Sequence, residues 1–442
     1  MGFAPSKEES FWIGVEDNPN YYCCDSGSND IGPAPLGVDK SVSPYEWQVH
    51  DLEMMLVASR KQGVPMIIGS SGDTGTNSRV DMYVDIIKKL AKKHEIPKFK
   101  LGYFYSEVPV QHIVDRLEQG VEIEGLDGRP NLTVEEAKST ERMVAVAGVH
   151  PFMKLLDMGA DVIIGGRSSD CAIFAAPAIR EGFSEALSYY LGKVMECASF
   201  CAEPYGAKET IIGTITHEDV KVKAMHPKQR CTVESVSAHA MYERSNPFYE
   251  HVAGGLLDMT ECEYKQYDPK TCAITGPKFI PIEGKVKVKL EGAGKIGERY
   301  LGIAGIRDPY LIENVDKVID WARSQVEERF KGTEHQVFFH VYGKNAVMRD
   351  LEPVKSVNPH ELCIVVEGIA PTKELAEEVA MIGTRQLFYA RLPEVKGTAG
   401  TAAFLVDEVF AVSPAYKWTL NHIIPVDDPL EFFTVKITEA GI

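Results

Sequence analysis

The chain carries one local order twice. A helix that stops at a glycine, a short apolar strand, a glycine-bearing turn and a second helix run through residues 45–94 and again through residues 150–183. Ile67-Ile68-Gly69 returns as Ile163-Ile164-Gly165, 96 positions later. The strands "VPMIIG" and "ADVIIGG" lack the polar alternation of a half-wet strand. Apolar runs of this kind, each followed by a helix, are buried on both faces and belong to a parallel sheet covered on both sides. Gly63 and Gly159 end the preceding helices as left-handed caps.

The same reading adds "KLGYFYS" and "MVAVAG" to the sheet and places a helix over residues 111–120. From residue 206 polar and apolar residues alternate, as in "TIIGTITHEDVKVKAM" and "KVKVKLEG", and a helix is expected over residues 311–330. Beyond residue 332 the order is strand, strand, helix and strand, with "FLVDEVFAV" as the last strand and Thr372 capping the helix. The expected class is therefore α/β. A Rossmann-like parallel sheet fills residues 1–205, an α+β region 206–332, and a small α+β C-terminal domain 333–442.

A net charge of −17 over 442 residues speaks against nucleic acid or an anionic membrane surface as partner, because phosphate binding needs clustered Lys and Arg. The sequence offers no apolar run of the roughly 20 residues that a membrane span needs. No charged segment followed by an apolar one opens the chain, and its nine cysteines follow no disulfide framework, so a reducing, cytoplasmic setting is expected. Symmetric association into a homo-oligomer is expected on general grounds.

In an open parallel sheet ligands bind beyond the carboxyl ends of the strands, where helix N-termini and backbone amides point outward. Three turns are expected there: "CDSGSND" (24–30), "GSSGDTGTN" (69–77) and "GGRSSD" (165–170). Ser26, Gly69, Ser70, Gly72, Gly75, Gly166 and Ser168 would offer a small anionic substrate close backbone approach and donors, and Arg167 a planar fork for its charge. Asp170 either caps its helix or moves a proton, and Arg167 is equally suited to an ion pair with Asp170 or Glu181. Asp25 and Asp73 are candidate ligands for Mg²⁺. The 69–77 turn fits neither the dinucleotide fingerprint nor the P-loop.

Further candidates lie downstream. In "VMECASFCAEP", Glu196 has acid/base capacity, and Cys197 and Cys201 are spaced to line one face or to sit buried as small apolar residues. In "CTVESVSAHAMYERSNPF", His239 and Glu243 are four apart, a spacing for an imidazole with an orienting carboxylate or for a simple core histidine. Asp308 in "GIRDP" reads as a helix cap.

Taken together, "GSSGDTG", the "GGR" turn with Asp170 and its alanine-rich helix, "MECA", "TVESVSAHAMYE" with "NPF", "GGLLD" and "GIRDP" fall in the order of the acyclic terpene utilisation protein A family, which the chain resembles over residues 26–321. That family is named for a cluster degrading acyclic terpenes through acyl-CoA intermediates. The resemblance carries Gly69, Gly72, Gly75, Arg167 and Asp170 over as a binding site, with Glu196 and His239 beside them. It implies a lyase of the hydratase or dehydratase type acting on a small carboxylic acid or its CoA thioester, with Asp170, Glu196 and His239 as proton-transfer groups. An acyl- or CoA-transferase using Glu196 or Cys197 is the alternative, as is a non-catalytic subunit that binds a ligand for a companion polypeptide.

Overall fold

The computed structural model describes residues 4–28, 31–395 and 400–442, so Asn29 and Asp30 of the first expected turn lie outside the described residues. The chain divides into two compact units, residues 1–294 with 418–442, and residues 295–417. These breaks replace the expected ones at 205/206 and 332/333. Pairing between distant segments decides them: the last 25 residues return to the first unit, which no local pattern announces.

The duplicated order forms the centre of the first unit. Strands β1 (Tyr22–Gly27), β2 (Met66–Asp73), β3 (Phe99–Tyr105) and β4 (Val162–Ile164) make a parallel layer in the order β1-β2-β4-β3. The two copies of the repeat lie side by side in register, Ile67 against Ile163 and Ile68 against Ile164. Ile67 and Ile163 enter one core cluster, while Met66, Ile68, Val162 and Ile164 enter another, so these strands are apolar because both faces are covered. Helices α1 (Tyr45–Gln62), α2 (Asn77–Lys93), α3 (Asp170–Arg180) and α4 (Glu185–Met195) belong to the same unit, and Gly63 caps α1 at φ 68°.

Several expectations change. "MVAVAG" does not join the parallel layer; Arg142–Val146 pairs antiparallel with Lys289–Ala293 of the long strand Val286–Ile306. The edge beside β3 is taken instead by the C-terminal strand Thr434–Ala440, antiparallel. An apolar run reveals burial and not the identity of its neighbour.

In the second unit, Gln336–Tyr342 and Glu298–Ile306 flank Leu362–Ala370 in an antiparallel sheet, and helices Val315–Arg329 and Lys373–Tyr389 enclose its core. The helix expected over 311–330 is broken at Asn314, whose side-chain amide donates to the Tyr310 carbonyl at 2.9 Å. Asp308 caps the first piece and Thr372 caps Lys373–Tyr389. "FLVDEVFAV" supplies two-residue strands at Ala403–Phe404 and Phe410–Ala411, and the longer strand is Ala415–Val426. Among the described residues no helix is long and apolar enough to cross a membrane.

Gly63 and Gly75 separate two uses of a positive φ. At Gly63 an added methyl meets open space; at Gly75, with φ 64°, it would lie 2.2 Å from the Arg167 backbone nitrogen. Gly63→Ala should lower unfolding free energy by about 1 kcal/mol, and Gly75→Ala by several times as much. Equal denaturation midpoints for the two variants would contradict this packing.

Candidate functional site

The three turns converge at one rim of the parallel layer. Ser70 and Ser71 donate their backbone N–H groups to the carbonyls of Gly166 and Gly165 at 3.0 and 3.1 Å, and Gly27 stands opposite Asp73. The Arg167 backbone N–H donates to the Gly75 carbonyl at 3.1 Å and to Ser106 Oγ at 2.7 Å. The glycines allow the turns to approach each other, and the space is already filled. A side chain at Gly69 would strike Ile173, at Gly72 would crowd Arg79 and Ser41, and at Gly166 would strike Ser106. Ser26 bonds the Tyr83 hydroxyl at 2.6 Å, and Ser168 Oγ donates to the Gly166 carbonyl at 2.8 Å. The residues expected to cradle a substrate thus meet protein, because convergence of three turns consumes their donors.

Arg167 is 6% exposed, and the anion it holds is this chain's own Glu291. Its Nε donates to Glu291 Oε2 at 2.9 Å, and its Nη1 donates to Ser70 Oγ and to the Ser168 carbonyl, both at 3.0 Å, with Asp170 Oδ1 at 3.4 Å. Burial favours the neutral Glu291 carboxyl, but Arg167 and Lys289 overcome it and hold the group at about 2. The same contacts raise the Arg167 pKa against burial. This guanidinium is a tie between the turns and the strand Val286–Ile306.

Asp73 also has another task. Its carboxylate accepts from the backbone N–H groups of Val42 and Ser43 at 2.6 and 2.9 Å and from Ser43 Oγ at 2.7 Å, which anchors the segment ahead of α1. A cation there would face donors, so the pair Asp25 and Asp73 does not fit Mg²⁺. Among the described residues no group of three His, Cys, Asp or Glu side chains is placed to hold a metal.

A carboxyl cluster remains: Asp25 on β1, Asp170 in the first turn of α3, and Glu196 just beyond α4. Burial raises the Asp25 pKa well above its ordinary value, and Asp170 raises it further. Burial also raises Asp170, with Arg167 opposing. Asp170 keeps 37% of its side-chain surface exposed beside Arg167. Glu196 is pushed up to about 7, by burial first, with the Lys193 ammonium pulling down and Asp170 pushing up. The Cys171 thiol donates to Glu196 Oε2 at 3.2 Å, and Lys193 bonds Oε1. Lys193 also lies 3.8 Å from Glu250 and 4.9 Å over the Tyr242 ring.

Asp25 and Glu196 face an open cavity of about 1540 Å³, whose wall also includes Met54, Phe174, Met195 and Cys197. Arg167, Asp170 and the 69–75 glycines are not on that wall. His239 is 4% exposed, packs against Tyr242 and Phe200 at 5.0 and 6.0 Å between ring centres, and is lowered to about 4 by burial and then Lys193. An imidazole so placed stays neutral and serves packing. Its expected partner Glu243 lies past the helix end at Ala240, with φ 65°. Cys197 is exposed and Cys201 buried, at opposite ends of a 3₁₀ turn, so the two thiols do not share a face.

Lys193 and Glu291 were not singled out from the sequence. Lys193 had a signal, three positions before Glu196 on one helical face. Glu291 is 124 positions from Arg167 and had none.

The family model described as Acyclic terpene utilisation family protein AtuA matches residues 38–418. No curated protein and no solved structure matches the chain.

Two measurements check this arrangement. Arg167→Ala leaves Glu291 buried without its guanidinium partner and should lower stability by about 3 kcal/mol, while Arg167→Met with Glu291→Leu should recover much of the loss. An unchanged denaturation midpoint for Arg167→Ala would count against the tie. Glu196 titrates at about 7 when folded against an ordinary 4.5. Its contribution to stability is therefore complete below about 4.5 and disappears as pH rises through about 7. The stability of the wild type relative to Glu196→Gln should fall over that window, and a flat difference would remove the shifted carboxyl.

Proposed function

The chain belongs to the acyclic terpene utilisation family AtuA, and we propose that it is a hydro-lyase of terpene-type acid catabolism, adding or removing water on a carboxylic acid or its CoA thioester. The reading is carried by Glu196, a carboxyl poised at about 7 on the wall of a large cavity. Such a group is half protonated at neutral pH, where general acid–base transfer is most effective.

In dehydration, Glu196 gives its proton to the departing hydroxyl, so that the carbon–oxygen bond breaks and water leaves. Asp25, the member of the Asp25–Asp170 pair on the cavity wall, takes the proton from the neighbouring carbon in its ionised form, and that bond's electrons become the new π bond. Hydration runs the same steps backwards. Repulsion between Asp25 and Asp170 disfavours ionising both, which supports a pair that keeps one proton and one negative charge. Lys193 and the Cys171 thiol orient Glu196, and the Arg167–Glu291 tie positions Asp170. His239 is buried and off the cavity wall, and is left out of the transfer.

The parallel layer with turns at its strand ends supports a Rossmann-like reading of the first unit, and nine free cysteines support a reducing, cytoplasmic setting.

The test is turnover by the purified chain of β-hydroxyacyl- and enoyl-CoA substrates, with incorporation of labelled water as readout. Glu196→Gln should lower kcat by about 100-fold or more and remove the pH limb near 7. A covalent acyl or CoA adduct on Glu196 or Cys197 in the intact mass would replace this reading by group transfer. No turnover without a second polypeptide would replace it by a ligand-binding subunit.

A further inference from the structure

We infer that the cavity takes its substrate as a neutral molecule, an apolar chain ending in an uncharged oxygen acceptor such as a thioester carbonyl or a hydroxyl, and rejects the free carboxylate. The inference rests on the hydro-lyase reading of the same cavity and narrows it to the thioester.

The first argument is charge. Acidic side chains on the wall outnumber basic ones by eight to three, and still by six to three with the proton-carrying Asp25 and Glu196 set aside, so a carboxylate would add to an existing excess of negative charge. Two of the three lysines already have carboxylate partners, Lys223 with Asp17 at 2.5 Å and Lys221 with Asp219 at 3.0 Å. The guanidinium that the strand-end turns provide is occupied by Glu291 and does not reach the wall.

Hydrogen-bond chemistry at the deep end is the second argument. Burial makes Glu196 retain its proton up to about 7, and a protonated carboxyl offers an O–H donor, which a carbonyl or hydroxyl oxygen accepts without bringing a charge out of water. The third is the lining. Phe11, Met54, Phe174, Leu191 and Phe200 give the chain of such a ligand a place to leave water. At about 1540 Å³ the space exceeds the roughly 300–1,000 Å³ of a usual small-ligand site, so a branched acyl chain enters without filling it.

The experiment uses the full chain and three unbranched probes of equal length, n-decanol, n-decanoate and n-decylamine, with calorimetric titration at about pH 6, where Glu196 is mostly protonated and n-decanoate mostly ionised, and below micelle formation. n-Decanol should bind at least roughly tenfold more tightly than n-decanoate, and the gap should close as pH falls toward about 5 and the acid becomes neutral. Glu209→Lys, a change on the wall outside the carboxyl cluster, should tighten n-decanoate several-fold and leave n-decanol unchanged. Tightest binding by n-decanoate or n-decylamine, or no binding by any probe, would overturn the inference. Turnover and its loss in Glu196→Gln are read separately, so the lyase reading stands or falls on its own result.

Discussion

Arg167 and Glu291 bury opposite charges against each other, and the rim of the parallel layer is arranged around that pair. The guanidinium also collects Ser70, the Ser168 carbonyl and Asp170, so three segments far apart in sequence are held by one planar group. A charge this deeply buried tolerates little displacement, because each donor that loses its partner is left without water as well. The close turns at Gly69, Gly75 and Gly166 follow from it, since the backbone must come near enough for Arg167 to reach every partner. What looks from the sequence like a cradle for a guest is, in the folded chain, a knot of the chain with itself.

The chemistry is displaced to one side of this knot. Asp170 is the hinge between the two: its carboxylate touches Arg167 and its charge reaches Asp25 and Glu196. Asp25, Asp170 and Glu196 all carry proton affinities above the ordinary range, and in each burial is the largest cause. Glu291, more deeply buried than Asp170 or Glu196, goes the other way because two cations face it. The contrast shows that burial alone does not decide the state of a carboxyl here; the sign of its neighbours does.

Much of the parallel layer was legible in the sequence, for a physical reason. Strands covered on both faces are apolar at successive positions, so Met66–Ile68 and Val162–Ile164 announced themselves, while the polar continuation of β2 to Asp73 read as a turn. Arg142–Val146 looked the same and had a different partner, because composition records burial without recording neighbours. Asp25, Asp170 and Glu196 were visible as residues, but not as one group, since their meeting depends on pairing between segments over a hundred positions apart. Arg167 was visible and its role was not, because Glu291 lies in an alternating strand where a lone glutamate carries no distinguishing mark. His239 and Glu243 had helical spacing, and the helix ended at Ala240 before the spacing applied.

The return of residues 418–442 to the first unit has a bearing on how the protein is made. Thr434–Ala440 closes the edge of the parallel layer beside β3, and it follows β3 by more than 300 positions, so β3 is synthesised well before its partner. Until they emerge, β3 presents an unpaired backbone edge in an otherwise assembled sheet, the kind of surface that recruits strands from other chains. Synthesis of this protein therefore includes a vulnerable interval that ends only when residues 434–440 emerge, and chaperone capture during that interval is a natural safeguard for a sheet edge closed from so far along the sequence.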